Sequence, residues 1–163
     1  MTKSNVNICG LTPKHCFPEC LPHFFTQFCE TDKLSILGKD PDIQEIVEVS
    51  LTIGIRNFRI VCTSVGKKLI VHAVKNIEII FKNCGIKYVS RFCIPFCTFV
   101  LLDDIDEKVR EVHFIVEDID VIQMSSRCVA VSALILVVPD FKHQHDEWHD
   151  ANTIRCDIKL KGC

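Results

Sequence analysis

The sequence predicts an all-β fold: an antiparallel β-sandwich of jelly-roll type, preceded by an extended N-terminal arm. Three observations carry this reading. From Glu45 onward apolar and polar residues alternate with the period of a half-buried strand. Val and Ile, which suit a pleated surface, fill many of the apolar positions. Helical periodicity of useful length is missing from the same stretch, so strands alternating with helices are excluded. Residues 1–44 hold four of the six prolines and four cysteines without a sustained period, and read as a cysteine-rich arm. Residues 45–163 read as the β-sandwich core domain.

The elements follow in chain order. Within the arm only residues 21–28 have apolar spacing, with Phe24, Phe25 and Phe28 set for a short helix-like turn. Val47, Val49, Leu51, Ile53 and Ile55 then alternate with Glu48, Ser50, Thr52, Gly54 and Arg56, the first strand of the core. Residues 58–62 continue it after a turn near Arg56 and Asn57. Residues 69–81 form the next strand, and Asn83-Cys84-Gly85 supplies the glycine of a tight reversal. Residues 86–94 and 96–102 are strand-like on either side of Pro95, which marks a bend, a bulge or an edge because proline cannot donate to a ladder. A loop at 103–107 precedes strands near 109–116, 119–123, 127–138 and 153–160.

Charge narrows the class of partner. With a net charge of −2 and Lys and Arg dispersed among acids, no basic stripe exists to bind nucleic acid. The longest charge-free runs, 92–102 and 128–139, fall short of the roughly 18 apolar residues of a membrane span. Neither partner is therefore expected.

Eleven cysteines accompany an N-terminus that lacks the basic start, apolar stretch and cleavage site of a secretory leader. Synthesis in the cytoplasm is therefore the expectation, yet disulfides are rare there. A product oxidised only after exposure reconciles the two. An odd count leaves at least one thiol free or bonded to a second chain. Cys9, Cys16, Cys20 and Cys29 in the arm, with Cys156 and Cys163 at the far end, are the candidates for disulfides between subunits, since flexible tails offer little core to hide a thiol. Cys62, Cys84, Cys93, Cys97 and Cys128 lie among strand-like residues and are expected to be buried apolar thiols.

Residues 67–102 and 110–138 carry a recognisable order of segments. A Val/Ile-rich strand ends in an aromatic at Ile77-Glu78-Ile79-Ile80-Phe81, and the next strand contains Ile94-Pro95-Phe96-Cys97-Thr98-Phe99. A later strand of the form V-x-V-x-x-x-L-x-V is matched by residues 129–137, with Ile135 at the leucine position. This order resembles the SPOCS domain of clostridial spore morphogenesis and spore coat proteins, over roughly residues 45–138. Larger members add a glycan-binding LysM module; this chain instead brings the cysteine-rich arm. The resemblance implies synthesis in the mother cell and a final place on the spore surface after that cell lyses.

Other chemistry is thinly represented. His143, His145 and His149 lie among carboxylates and are candidate ligands for zinc or nickel. A solvated loop is the preferred reading, because no cysteine pair at zinc-finger spacing accompanies them. No nucleophile elbow, phosphate loop or dinucleotide fingerprint is present, so neither an enzyme nor a cofactor is expected. Two functions remain. The first is a structural subunit that assembles with copies of itself, into a closed oligomer or a filament, through its arm and disulfides between subunits. Reach permits this, since about 30 extended residues span roughly 100 Å and a core of this size has a radius of gyration near 14 Å. The second is a non-enzymatic module that recruits another spore coat protein.

Overall fold

At each hairpin of the described residues a positive backbone φ or a short polar pair lets one long strand turn back on the next. The computed structural model describes residues 6–20, 22–103 and 107–142. Among them are strands β1 (Asn7–Cys9), β2 (Thr26–Ser35), β3 (Glu45–Thr63), β4 (Gly66–Asn83), β5 (Ile86–Leu102), β6 (Val109–Ser125) and β7 (Cys128–Phe141), and one 3-10 turn, Lys14–Cys16. Asn83 ends β4, Cys84 (φ 48°) and Gly85 (φ 77°) make the turn, and Ile86 opens β5. Two successive residues with positive φ give a hairpin turn whose twist matches the strands it joins.

The strands form two sheets, β1-β3-β4-β5 and β2-β7-β6. All pairs are antiparallel except β1 with β3, where Asn7, Ile8 and Cys9 run parallel to Glu48, Val49 and Ser50. β2 contacts β5 across the sandwich and β6 contacts β3. Val49, Val71, Ile79 and Phe81 from the first sheet meet Val129, Ile135 and Val137 from the second, all fully buried. Each such side chain contributes about 1.5–3 kcal/mol by leaving water. The all-β sandwich is therefore what the alternation predicts. Three of the connections between the described strands, β3–β4, β4–β5 and β6–β7, are hairpins within a sheet and three pass from one sheet to the other, and together they do not trace the two Greek keys of a jelly roll.

The start of the sheet differs from the sequence reading. Two strands precede Glu45, and Leu34, Ile36 and Ile43 are core residues. β2 escaped the hydrophobic pattern because its inward row is Thr26, Phe28, Glu30, Asp32 and Leu34, with two acids where apolar residues are expected. Those acids are matched by Lys75 on the inward row of β4, 0% exposed, which donates to Glu30 Oε2 at 2.7 Å and Asp32 Oδ2 at 2.5 Å. The helix-like spacing of Phe24, Phe25 and Phe28 is likewise overridden, since Phe28 already lies in β2.

Three breaks dissolve into continuous strands. The turn near Arg56 and Asn57 is a register shift between Ile55 and Asn57 inside β3, and the gap after Val116 is a similar shift inside β6. Pro95 sits opposite Val74 within β5, an edge strand, where its missing N–H faces no partner. The predicted strand at 153–160 lies outside the described residues.

The N-terminal segment closes one side of the sandwich. After β1 seats on β3, Thr12 bonds β6 in both directions: its N–H donates to the Val116 carbonyl (3.0 Å), and the Val116 N–H donates to its hydroxyl (2.8 Å). Phe17 then packs on Ile115, Leu136 and Val138, a small second core on the outer face of the β2-β7-β6 sheet. The chain next enters that sheet as β2. The opposite side, where β2 and β5 lie, keeps two open strand edges.

Candidate assembly surface

β5 presents two rows of side chains. Tyr88, Ser90, Phe92, Ile94, Phe96, Thr98, Val100 and Leu102 turn inward and are buried or half-buried, while Val89, Arg91, Cys93, Pro95, Cys97, Phe99 and Leu101 turn outward and are exposed. The inner row meets the core; the outer row has nothing over it among the described residues. Phe99 is 50% and Leu101 57% exposed. Register sets Ile70 of β4 beside Phe99, His72 beside Cys97 and Val74 beside Pro95, so the half-buried Ile70 and Val74 widen the stripe.

The same strand is an edge. A long, charge-poor edge offers unpaired N–H and C=O groups to another chain, and β5 has no charge from residue 92 to 102. Two outward thiols, Cys93 and Cys97, stand on that edge. Alongside Cys93 lies a shallow groove of about 400 Å³, lined by Ser50, Thr52, Asn76, Glu78 and Arg91 among others. Arg91 Nε donates to Glu78 Oε2 at 2.6 Å across it.

The thiols expected to be buried are not. Cys62, Cys84, Cys93 and Cys97 are exposed and Cys128 is half-buried. Two reasons account for this. Cys84 occupies the β4–β5 turn, and Cys62 lies two residues beyond the 42%-exposed Ile60, where β3 has run past the core. Cys93 and Cys97 belong to an outer row that from Cys93 to Leu101 is free of charge like the inner one, so hydrophobicity over that stretch does not choose between faces. Lys87 and Arg91 share their odd-numbered row, and that was the available signal.

The predicted cross-linking residues separate. Cys29 projects from the outer row of β2 and is exposed, and Cys9 in β1 is half-buried. Cys16 ends the 3-10 turn and is buried, and Cys20 is disulfide-bonded. Cys156 and Cys163 lie outside the described residues, as do His143, His145 and His149.

One group escaped sequence reasoning. Glu111, His113 and Asp140 bring their ligand atoms within 4.8 Å of one another on the outer face of β6 and β7. Their positions in two strands hid this, and only the register Glu111–Asp140 joins them. Arg110 already donates to Asp140 at 2.6 Å, so the trio reads as a surface ion-pair cluster.

Among the described residues no helix is long and apolar enough to cross a membrane. No family model matches the chain, and no curated protein or solved structure is significantly similar to it.

Proposed function

We propose that this protein is a structural subunit that assembles with copies of itself through its N-terminal segment, its open sheet edge and disulfides between chains. One observation carries the reading: the exposed outer row of β5 joins Cys93 and Cys97 to Phe99 and Leu101 on an unpaired edge. Strand addition at such an edge supplies reversible affinity through main-chain hydrogen bonds. Thiols on the same strand convert a bound neighbour into a covalent one, which persists until reduced or exchanged. A contact between unlike surfaces repeats into a ring or a filament. The N-terminal segment enters as the donor, since β1 already adds to the edge of β3 as a three-residue parallel strand. A place on a spore surface rests on the family resemblance alone.

The full chain, oxidised and separated without reductant, is expected to give a ladder of multimers that collapses on reduction, with particles visible by electron microscopy. Replacing Cys93 and Cys97 by Ser is expected to shorten the ladder. The alternative, a module recruiting a spore coat partner, draws on the groove beside Cys93. A protein that stays monomeric after oxidation favours that alternative.

A further inference from the structure

Lys75 is the largest fully buried side chain of the molecule's described part. It reaches from β4 in one sheet to β2 in the other, where Asp32 and Glu30 receive it. Asp32 is 14% exposed and Glu30 40%. The ammonium lies 5.4 Å from the centre of the Phe96 ring, and Phe28 and Phe114 flank that ring at 6.1 and 5.7 Å. An amine, two carboxyl groups and an aromatic wall thus meet at a point where the solvent touches the carboxylates, Glu30 more than Asp32, but not the amine.

We propose that Lys75 and Asp32 join in an isopeptide bond, formed by the chain itself with Glu30 as the proton relay. The inference is independent of the assembly reading. Lys75 Nζ lies 2.5 Å from Asp32 Oδ2, so the fold holds the nitrogen against the carboxyl group whose carbon it is to attack. Such fixed geometry replaces a bimolecular encounter. Glu30 Oε2, 2.7 Å from Nζ, takes one proton from the ammonium and passes it to the Asp32 carboxylate, leaving an amine facing a carboxylic acid. The nitrogen lone pair attacks Cγ, the N–C bond forms and the C=O pair moves to oxygen. Glu30 then carries the second nitrogen proton to the departing hydroxyl, the C–O bond breaks, and water leaves. Ammonium plus carboxylate become amide plus water, with no oxidant or other reagent. Around a buried Lys75, the excluded solvent disfavours the reverse hydrolysis, while the partly exposed Glu30 marks the exit for the water produced.

Asp32 is assigned as the acyl partner over Glu30 because it is nearer and better shielded; Glu30, in contact with solvent, suits a relay. The product ties the two sheets together at their open side, between β2 and β4, and is indifferent to reductant.

The test is the intact mass of the full chain, reduced and denatured. A population lighter than the sequence by one water is expected, with digestion yielding a branched peptide joining the Asp32 and Lys75 segments. Glu30→Gln is expected to return the unmodified mass. Asp32→Asn is expected to lose ammonia in place of water, a readout that a structural role of Asp32 does not move. A wild-type chain wholly at the sequence mass overturns the proposal, whatever the variants do. A branch mapped to Glu30 overturns the choice of partner, and a bond that persists in Glu30→Gln overturns the relay.

Discussion

Gly10 is the residue on which the N-terminal segment turns. Its φ of +114° suits glycine, and a Cβ there would stand 2.0 Å from the Leu51 carbonyl oxygen. Any side chain therefore pushes β1 away from β3. Gly10→Ala is expected to cost about 1–3 kcal/mol, the usual range for overpacking, and to speed hydrogen exchange at Asn7–Cys9 while the core amides stay protected. Arg127 does the converse at the far end, gathering a loop. Its guanidinium donates to the carbonyls of Ile36, Leu37 and Asp40 and to the Asp42 carboxylate. The Arg127 hydrogen bond, helped by Ser126, holds the Asp42 carboxyl below its ordinary value of 3.8. The folded chain then binds that proton less readily than the unfolded one, so this contribution to stability is complete above 3.8 and is lost as pH falls through the lower folded value. Arg127→Ala is expected to lower stability by about 1–3 kcal/mol at neutral pH through its lost charged hydrogen bonds. Thermal midpoints measured against pH are expected to show the gap between variant and parent narrowing in acid.

At the scale of the element, β2 and β5 are the strands whose faces carry unexpected residues. β4 was legible because its inward row, Leu69, Val71, Ala73, Ile77, Ile79 and Phe81, is apolar at every step but Lys75. β2 was not, because Glu30 and Asp32 are opposite that lysine and no single strand reveals a partner in another. A pattern scan reads one row at a time; a charge shared between sheets becomes visible only once the sheets are stacked. The same logic explains β5, whose two rows are both free of charge from Phe92 to Leu102 although one of them faces outward. Phe99 tests what that outer row is for. Phe99→Lys removes nothing from the core, and a lysine blunts an edge against pairing with another chain. The fold is expected to persist by circular dichroism, and association under reducing conditions, followed by sedimentation velocity, to fall. Undiminished association places the contact elsewhere than the β5 edge.

For the whole molecule, the two sides of the sandwich differ in what covers them, and this sets what a truncation does. The sequence divides the chain at residue 44 because alternation starts there, but the architecture divides it nearer Thr26. Residues 6–17 dress the finished sheets: β1 adds to β3, Thr12 bonds Val116, and Phe17 covers the outer core. Residues 26–35 are part of a sheet, since β7 is paired by β2 along its length from Cys128 to Val137. Deleting residues 1–12 is therefore expected to leave a folded, less stable β domain. Deleting residues 1–30 removes half of β2 and the Glu30 partner of Lys75, bares the edge of β7, and is expected to yield little soluble folded protein. The shorter deletion also bears on assembly. It takes away β1 and Cys9 but retains Cys29, Cys62, Cys93 and Cys97, so oxidation still has exposed thiols to join. If β1 is the strand handed from copy to copy, these thiols link only chance neighbours, and non-reducing electrophoresis is expected to stop at small oligomers where the full chain gives a long ladder. A ladder of equal length from the truncated chain transfers the connecting role from the N-terminal segment to the β5 edge, whose strand and thiols the deletion leaves intact.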